Sequence, residues 1–113
     1  MIITKSTSYT KDEIEKLRKE FDDYIKTVID LTKKTCSAGS NRHFESEKIL
    51  LEQGSNQSDI WGGGIDIDTK EIDFNSFINI RPIDNNTSND ILDARKRKLY
   101  DELTRYFFKK IYE

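Results

Sequence analysis

One cysteine, one histidine and one proline are all that the 113 residues hold of these three types. A lone Cys36 cannot build an internal disulfide framework and fits a reducing, cytoplasmic setting. A lone His43 excludes a zinc site made of several histidines. No apolar run approaches the ~20 residues that span a membrane. The polar Thr4-Lys5-Ser6-Thr7 leaves no signal-peptide core behind Met1. Excess charge is missing too, since 19 Lys and Arg face 21 Asp and Glu for a net of −2. Nucleic-acid and anionic-membrane binders are normally strongly basic, so neither partner is expected.

What remains is 35% hydrophobic and 35% charged, in a length that suits one domain over residues 1–113. The charge is unevenly spread. Residues 1–42 carry nine basic and seven acidic side chains, residues 43–75 two and eight, and residues 90–113 seven and five. An acidic middle therefore lies between mildly basic ends. Within residues 76–89 the one cation is Arg81.

The periodicities predict eight elements. Met1 to Thr4 is a short edge strand. Thr10-Lys11-Asp12-Glu13 has the form of a capping box and starts a helix over 11–22, with Ile14, Leu17 and Phe21 at helical spacing. Tyr24 to Thr32 alternates as a strand, with Ile25, Ile29 and Leu31 on one side and Tyr24, Val28 and Asp30 on the other. Thr35 to Ala38 is a small partner strand. A helix runs from Arg42 to Gln53 and stops at Gly54. Strands follow at Ile60–Asp68, which contains three glycines, and at Ile72–Arg81, which Pro82 ends. Ser88 or Asn89 then caps a last helix from about Asp90 to Tyr112, with an apolar stripe of Leu92, Leu99, Leu103, Phe107 and Ile111. The order β-α-β-β-α-β-β-α predicts an α+β fold: a mainly antiparallel sheet of four to five strands with three helices on it.

Two blocks of words stand out. One is Gly39, His43-x-Glu45-x-Glu47 and Leu50-Leu51-x-x-Gly54-Ser55-x-Gln57-x-Asp59-Ile60-Trp61-Gly62. The other is Phe74-x-Ser76-Phe77-Ile78-Asn79-Ile80-Arg81-Pro82, Asn86-x-Ser88 and Asp93. They resemble the bacterial and archaeal family known as domain of unknown function 5674, over most of the chain. The chain departs from that family's pattern at Ser40 and Gly64. The resemblance implies a small single-domain cytosolic protein and brings no activity, cofactor or catalytic residue with it.

The same blocks hold the candidate site residues. His43 and Glu47, four apart on a helix, meet on one face. The carboxylate could orient the imidazole for acid–base work, or both could bind a metal with Glu45 or Asp59. The plainer reading, which the spacing favours, is a solvated or helix-capping His with an i,i+4 partner. Asn79 and Arg81 alternate on one face of the predicted 72–81 strand. Arg81 offers a planar fork for an anion, and Asn86 and Ser88 precede a helix N-terminus. The opposing reading pairs Arg81 with Asp59 or Glu47 and leaves Asn86 and Ser88 to shape a turn. Trp61 beside three glycines either walls a pocket or is core. Asp66-x-Asp68 with Glu71 lacks the glycine of a calcium loop and reads as a charged hairpin tip. Arg95-Lys96-Arg97-Lys98 spreads around its helix and makes no single basic patch.

The expectation is a protein that binds a small anionic or polar ligand, with Trp61, Asn79, Arg81, Asn86 and Ser88 around it and His43 with Glu47 alongside. The alternatives are an enzyme using His43 and Glu47 in acid–base or hydrolytic chemistry, and a homodimeric interaction protein. For the last, a sheet edge or the C-terminal helix, aromatic through Tyr106, Phe107, Phe108 and Tyr112, would supply the surface. No cofactor is indicated.

Overall fold

The computed structural model describes residues 1–113. Five strands form one antiparallel sheet: β1 (Ile3–Lys5), β2 (Tyr24–Asp30), β3 (Thr35–Ala38), β4 (Ile60–Asp66) and β5 (Ile72–Asp73), in the spatial order β1-β3-β2-β4-β5. Three helices accompany it: α1 (Lys11–Phe21), α2 (His43–Glu52) and α3 (Ala94–Phe107). The α+β class and the antiparallel sheet agree with the sequence reading.

The expected capping box is formed. The Glu13 N–H donates to Thr10 Oγ1 at 3.1 Å, and the Thr10 N–H donates to Glu13 Oε1 at 2.8 Å. Ile14 and Leu17 are the buried stripe of α1. At the far end of α2, Gly54 takes a positive φ of 97°, a conformation open to glycine without a Cβ clash.

The two faces of the sheet differ greatly in depth. Ile25 and Ile29 of β2 and Trp61 and Ile65 of β4 enter a cluster of 16 buried residues shared with α1 and α3. Val28 and Ile60, on the opposite face, join Leu50 of α2 in a cluster of three. The thin cluster leaves one end of the α2 face open, and there the chain forms a cleft. On the thick side Phe107 and Phe108 are fully buried, with Tyr9 at ring distances of 6.0 and 5.0 Å. Of the four aromatic residues at this end, Phe107 and Phe108 belong to the core, while Tyr106 and Tyr112 stay exposed.

Two elements depart from expectation. The 72–81 strand ends at Asp73. Its alternating pattern is real, but the backbone turns into a 3-10 turn at Phe77–Asn79, with Ser76 Oγ accepting from the Ile78 N–H. The Asn79 side chain takes the ladder groups of Gly62 that a longer β5 would have used. Phe77 and Ile80 consequently point outward, 86% and 45% exposed. The last helix starts at Ala94, not near Asp90, and Asp93 is its cap, accepting from the Arg95 and Lys96 N–H groups at 2.9 and 3.0 Å. Residues 90–92 are held outside the helix because Asn86 bonds to Asp90 O and the Leu92 N–H. Leu92, placed in the apolar stripe by its spacing, is therefore exposed. A 3-10 turn at Lys109–Tyr112 follows α3.

No helix is long and apolar enough to cross a membrane.

Candidate functional site

The glycine run of β4 determines what can approach it. A Cβ at Gly62 would stand 2.8 Å from Ser76 Cβ, so the 74–79 segment lies directly against bare backbone. Asn79 exploits that approach. Its Oδ1 accepts from the Gly62 N–H at 2.8 Å. Its Nδ2 donates to Gly62 O, Phe74 O and Asn89 O at 2.9, 2.9 and 3.0 Å. Asn86 is a second hub of the same kind. Its Nδ2 donates to the carbonyls of Asn79, Ser88 and Asp90, and its Oδ1 accepts from the Leu92 N–H at 2.9 Å. Ser88 Oγ accepts from the Asp90 N–H at 3.1 Å. Both amides are buried, with every polar atom committed to main chain. They organise the 74–93 segment, where ligand contacts were expected.

Arg81 is also turned inward. Its guanidinium donates to Gln57 O and Ile60 O and lies 4.0 Å from the centre of the Trp61 ring. Neither Asp59 nor Glu47 forms an ion pair with it. Burial lowers the Arg81 pKa, while Asp84 and Glu47 pull it back up. Arg81 Nε and Glu47 Oε2 are both buried without a hydrogen-bond partner. The Trp61 ring is 1% exposed, and its Nε1 donates to Ser58 O at 3.2 Å. Lys96 Nζ sits 4.8 Å from the same ring. This cation–aromatic packing pins the 77–86 segment to β4.

His43 stands elsewhere. Its Nε2 lies 2.7 Å from Gly63 O. A carbonyl only accepts, so Nε2 carries the proton and neutral Nδ1 is a lone pair. Nδ1 has no partner in the protein and is not sealed from solvent. Burial pushes the His43 pKa down and Lys26 adds to the effect, against the Gly63 carbonyl and Asp73. No hydrogen bond joins His43 to Glu47, so the expected i,i+4 pair is not made. No group of three His, Cys, Asp or Glu side chains gathers as a metal set.

The imidazole lines a cleft of about 290 Å³ with Lys26, Asn41, Arg42, Phe44, Ser76, Phe77 and Ile78. Trp61 and Asn86 line a different cleft of about 420 Å³, with Asp84, Asn85, Leu92, Asp93 and Lys96. The candidates named from sequence thus fall into two places. His43 is on one side, and Trp61 and Asn86 are on another. Arg81 lines neither.

The His43 cleft has a distinct character. It holds two cations and no carboxylate. Lys26 Nζ donates only to Asn41 O, at 2.6 Å, and Arg42 sits 6.0 Å from the Phe44 ring. Neither has an acidic partner. The cleft opens at the start of α2, whose N-cap is Arg42. No side chain caps that end, and the His43 and Phe44 N–H groups find no acceptor in the protein. Uncapped N–H groups and the helix dipole favour negative charge there. Sequence reading missed Lys26, Arg42, Phe44, Ser76 and Phe77. The available signal was an arginine where Ser, Thr, Asp or Asn would normally cap a helix.

No curated protein and no solved structure matches the chain. Residues 1–107 match the family model described as "Protein of unknown function (DUF5674)", and the chain belongs to that family.

Proposed function

We propose that this protein binds a small anionic ligand in the His43 cleft. The observation that carries the reading is the pair Lys26 and Arg42. Both line one concave site, neither meets a carboxylate, and the uncapped start of α2 opens beside them. Unpaired cations held at a helix N-terminus lower the cost of burying an anion. The residues first expected to touch the ligand then act indirectly: Asn79 and Asn86 hold the 74–93 segment, and with it Ser76 and Phe77, in place on β4. Arg81, Trp61 and Ser88 hold the same segment from its other end.

The test is a titration of ¹⁵N-labelled protein with benzoate and inorganic phosphate, beside a Lys26→Ala/Arg42→Ala variant. Saturable shifts confined to residues 26, 41–44 and 76–78, abolished in the variant, are expected. Binding that maps elsewhere, or that survives loss of both cations, overturns the reading.

A second reading is favoured by one feature, the solvent-accessible Nδ1 lone pair of a histidine whose pKa is lowered. Such an imidazole is neutral near pH 7 and accepts a proton from a bound hydroxyl or water, the task of a general base. Hydrolysis of p-nitrophenyl acetate that is lost in His43→Gln supports this reading, and equal rates in both proteins remove it.

A further inference from the structure

We infer that the ligand of the His43 cleft is an aromatic carboxylate that carries a neutral hydrogen-bond donor, a hydroxyl or amide, beside its carboxylate. The inference rests on the anionic-ligand reading and deepens it, through three features that each select a part of the molecule.

The first feature is the wall. Phe44 and Phe77 are 52% and 86% exposed, and both line the cleft with Ile78. Two phenyl rings left in water beside a concavity favour a flat apolar body, because covering them removes apolar surface from solvent. A bare inorganic anion would leave that surface wet.

Charge is the second. Lys26 and Arg42 supply positive charge with no acidic residue lining the cleft. They attract a carboxylate and repel an ammonium group, which excludes amines and weakens the case for free amino acids.

The third is the proton inventory of His43. Nε2 donates to Gly63 O, so Nδ1 is a fixed acceptor aimed at no protein group. A dianionic phosphate offers only acceptors and would set its charge against that lone pair. A hydroxyl or amide N–H near the carboxylate satisfies it. Being neutral, such a donor escapes repulsion by Lys26 and Arg42.

Four probes separate these requirements in NMR titrations of the intact chain: 3-phenyllactate, 3-phenylpropionate (the same acid without its hydroxyl), phenyl phosphate and inorganic phosphate. Phenyllactate is expected to shift the His43, Phe44 and Phe77 signals and the His43 Nδ1 resonance. It is expected to bind about 3- to 10-fold more tightly than phenylpropionate, the range one neutral hydrogen bond supplies. Phe77→Ala is expected to weaken phenyllactate about tenfold. Its effect on folding is expected to be small, since that ring is exposed. Equal binding of the two acids, or no loss in Phe77→Ala, overturns this inference. So does tighter binding of either phosphate within the cleft, an outcome that leaves the broader anionic-site reading standing. If no probe moves any cleft signal, both are overturned.

Discussion

The Asn79 side-chain amide pairs with both main-chain polar groups of Gly62, accepting from its N–H at 2.8 Å and donating to its carbonyl at 2.9 Å. One side chain thus imitates a neighbouring strand at the point where β5 has already ended. The pairing is possible because Gly62 has no Cβ to hold the segment away. Asn79→Ala takes this partner from four main-chain groups: the buried Gly62 N–H and O, and the part-buried Phe74 O and Asn89 O. A loss of about 2–4 kcal/mol is expected in urea unfolding, since each orphaned group costs roughly 1–3 kcal/mol and some gain water. Asn79→Asp keeps the acceptor and loses the donors, so it should rescue little. A loss below about 1 kcal/mol would show that the amide is not the organising contact.

Neighbouring glycines of β4 should respond very differently to alanine. At Gly63 a Cβ would meet the Asp73 carbonyl of the adjacent strand and stand 3.0 Å from the Tyr100 ring, which is fully buried. Neither can yield without moving the sheet or the core. At Gly64 the obstacle is the end of the Tyr24 side chain, which is 38% exposed and free to swing outward at the cost of its 2.6 Å bond to Asp73. Gly63→Ala is expected to cost about 2–3 kcal/mol and Gly64→Ala less than about 1 kcal/mol. Thermal melts of the two variants side by side check the order, and the reverse order would contradict this packing.

Local signals carried most of the fold in the sequence. Thr10 and Glu13 lie three residues apart and cap each other, and the alternation of β2 sorts Ile25 and Ile29 from Val28 as the two faces do. The failures came where distant residues decide. The 72–81 alternation looks like a strand, but whether it pairs depends on Asn79 meeting Gly62, 17 positions away. Asp93 outcompetes Ser88 and Asn89 as a cap because Asn86 has already bound the intervening backbone. The site suffered most. Lys26, Arg42 and Ser76 come from three separate elements and form no motif together. Asn79 and Arg81 drew attention for polarity that the fold consumes internally. Polar residues in an apolar pattern marked the positions where side chains bond to buried main chain.

Trp61 offers an optical check on Arg81, since it is the one tryptophan in the chain. The guanidinium satisfies Gln57 O and Ile60 O while covering the indole. Arg81→Met preserves bulk but takes the side-chain donor from Ile60 O and leaves Gln57 O with only its main-chain N–H partner, at an expected cost of about 1–3 kcal/mol. Arg81→Lys should recover only part of that, because an ammonium lacks the planar fork that reaches two carbonyls and stacks on the ring. Both variants are expected to change Trp61 emission. Unaltered emission with unaltered stability would remove Arg81 from the scaffold.

His43 should impose a pH dependence on stability. Burial, with help from Lys26, lowers its pKa in the folded protein below the ordinary 6.5, although Gly63 O and Asp73 oppose the shift. Below pH 6.5 the unfolded chain binds a proton at this position that the folded chain resists. Unfolding is then linked to proton uptake, so stability rises with pH across the interval between the folded value and 6.5. Above 6.5 both states hold a neutral imidazole and the dependence ends; below the folded value both are protonated and the loss is complete. Melting temperatures of wild type and His43→Gln between pH 5 and 7.5 isolate this contribution from that of the carboxylates. The wild type should lose more stability on acidification, and the two curves should run parallel above pH 7. Direct titration of the imidazole by NMR must give a midpoint below 6.5. A midpoint above it would mean that Asp73 and the Gly63 carbonyl outweigh burial, and His43 would then face the cleft as a cation rather than as an acceptor.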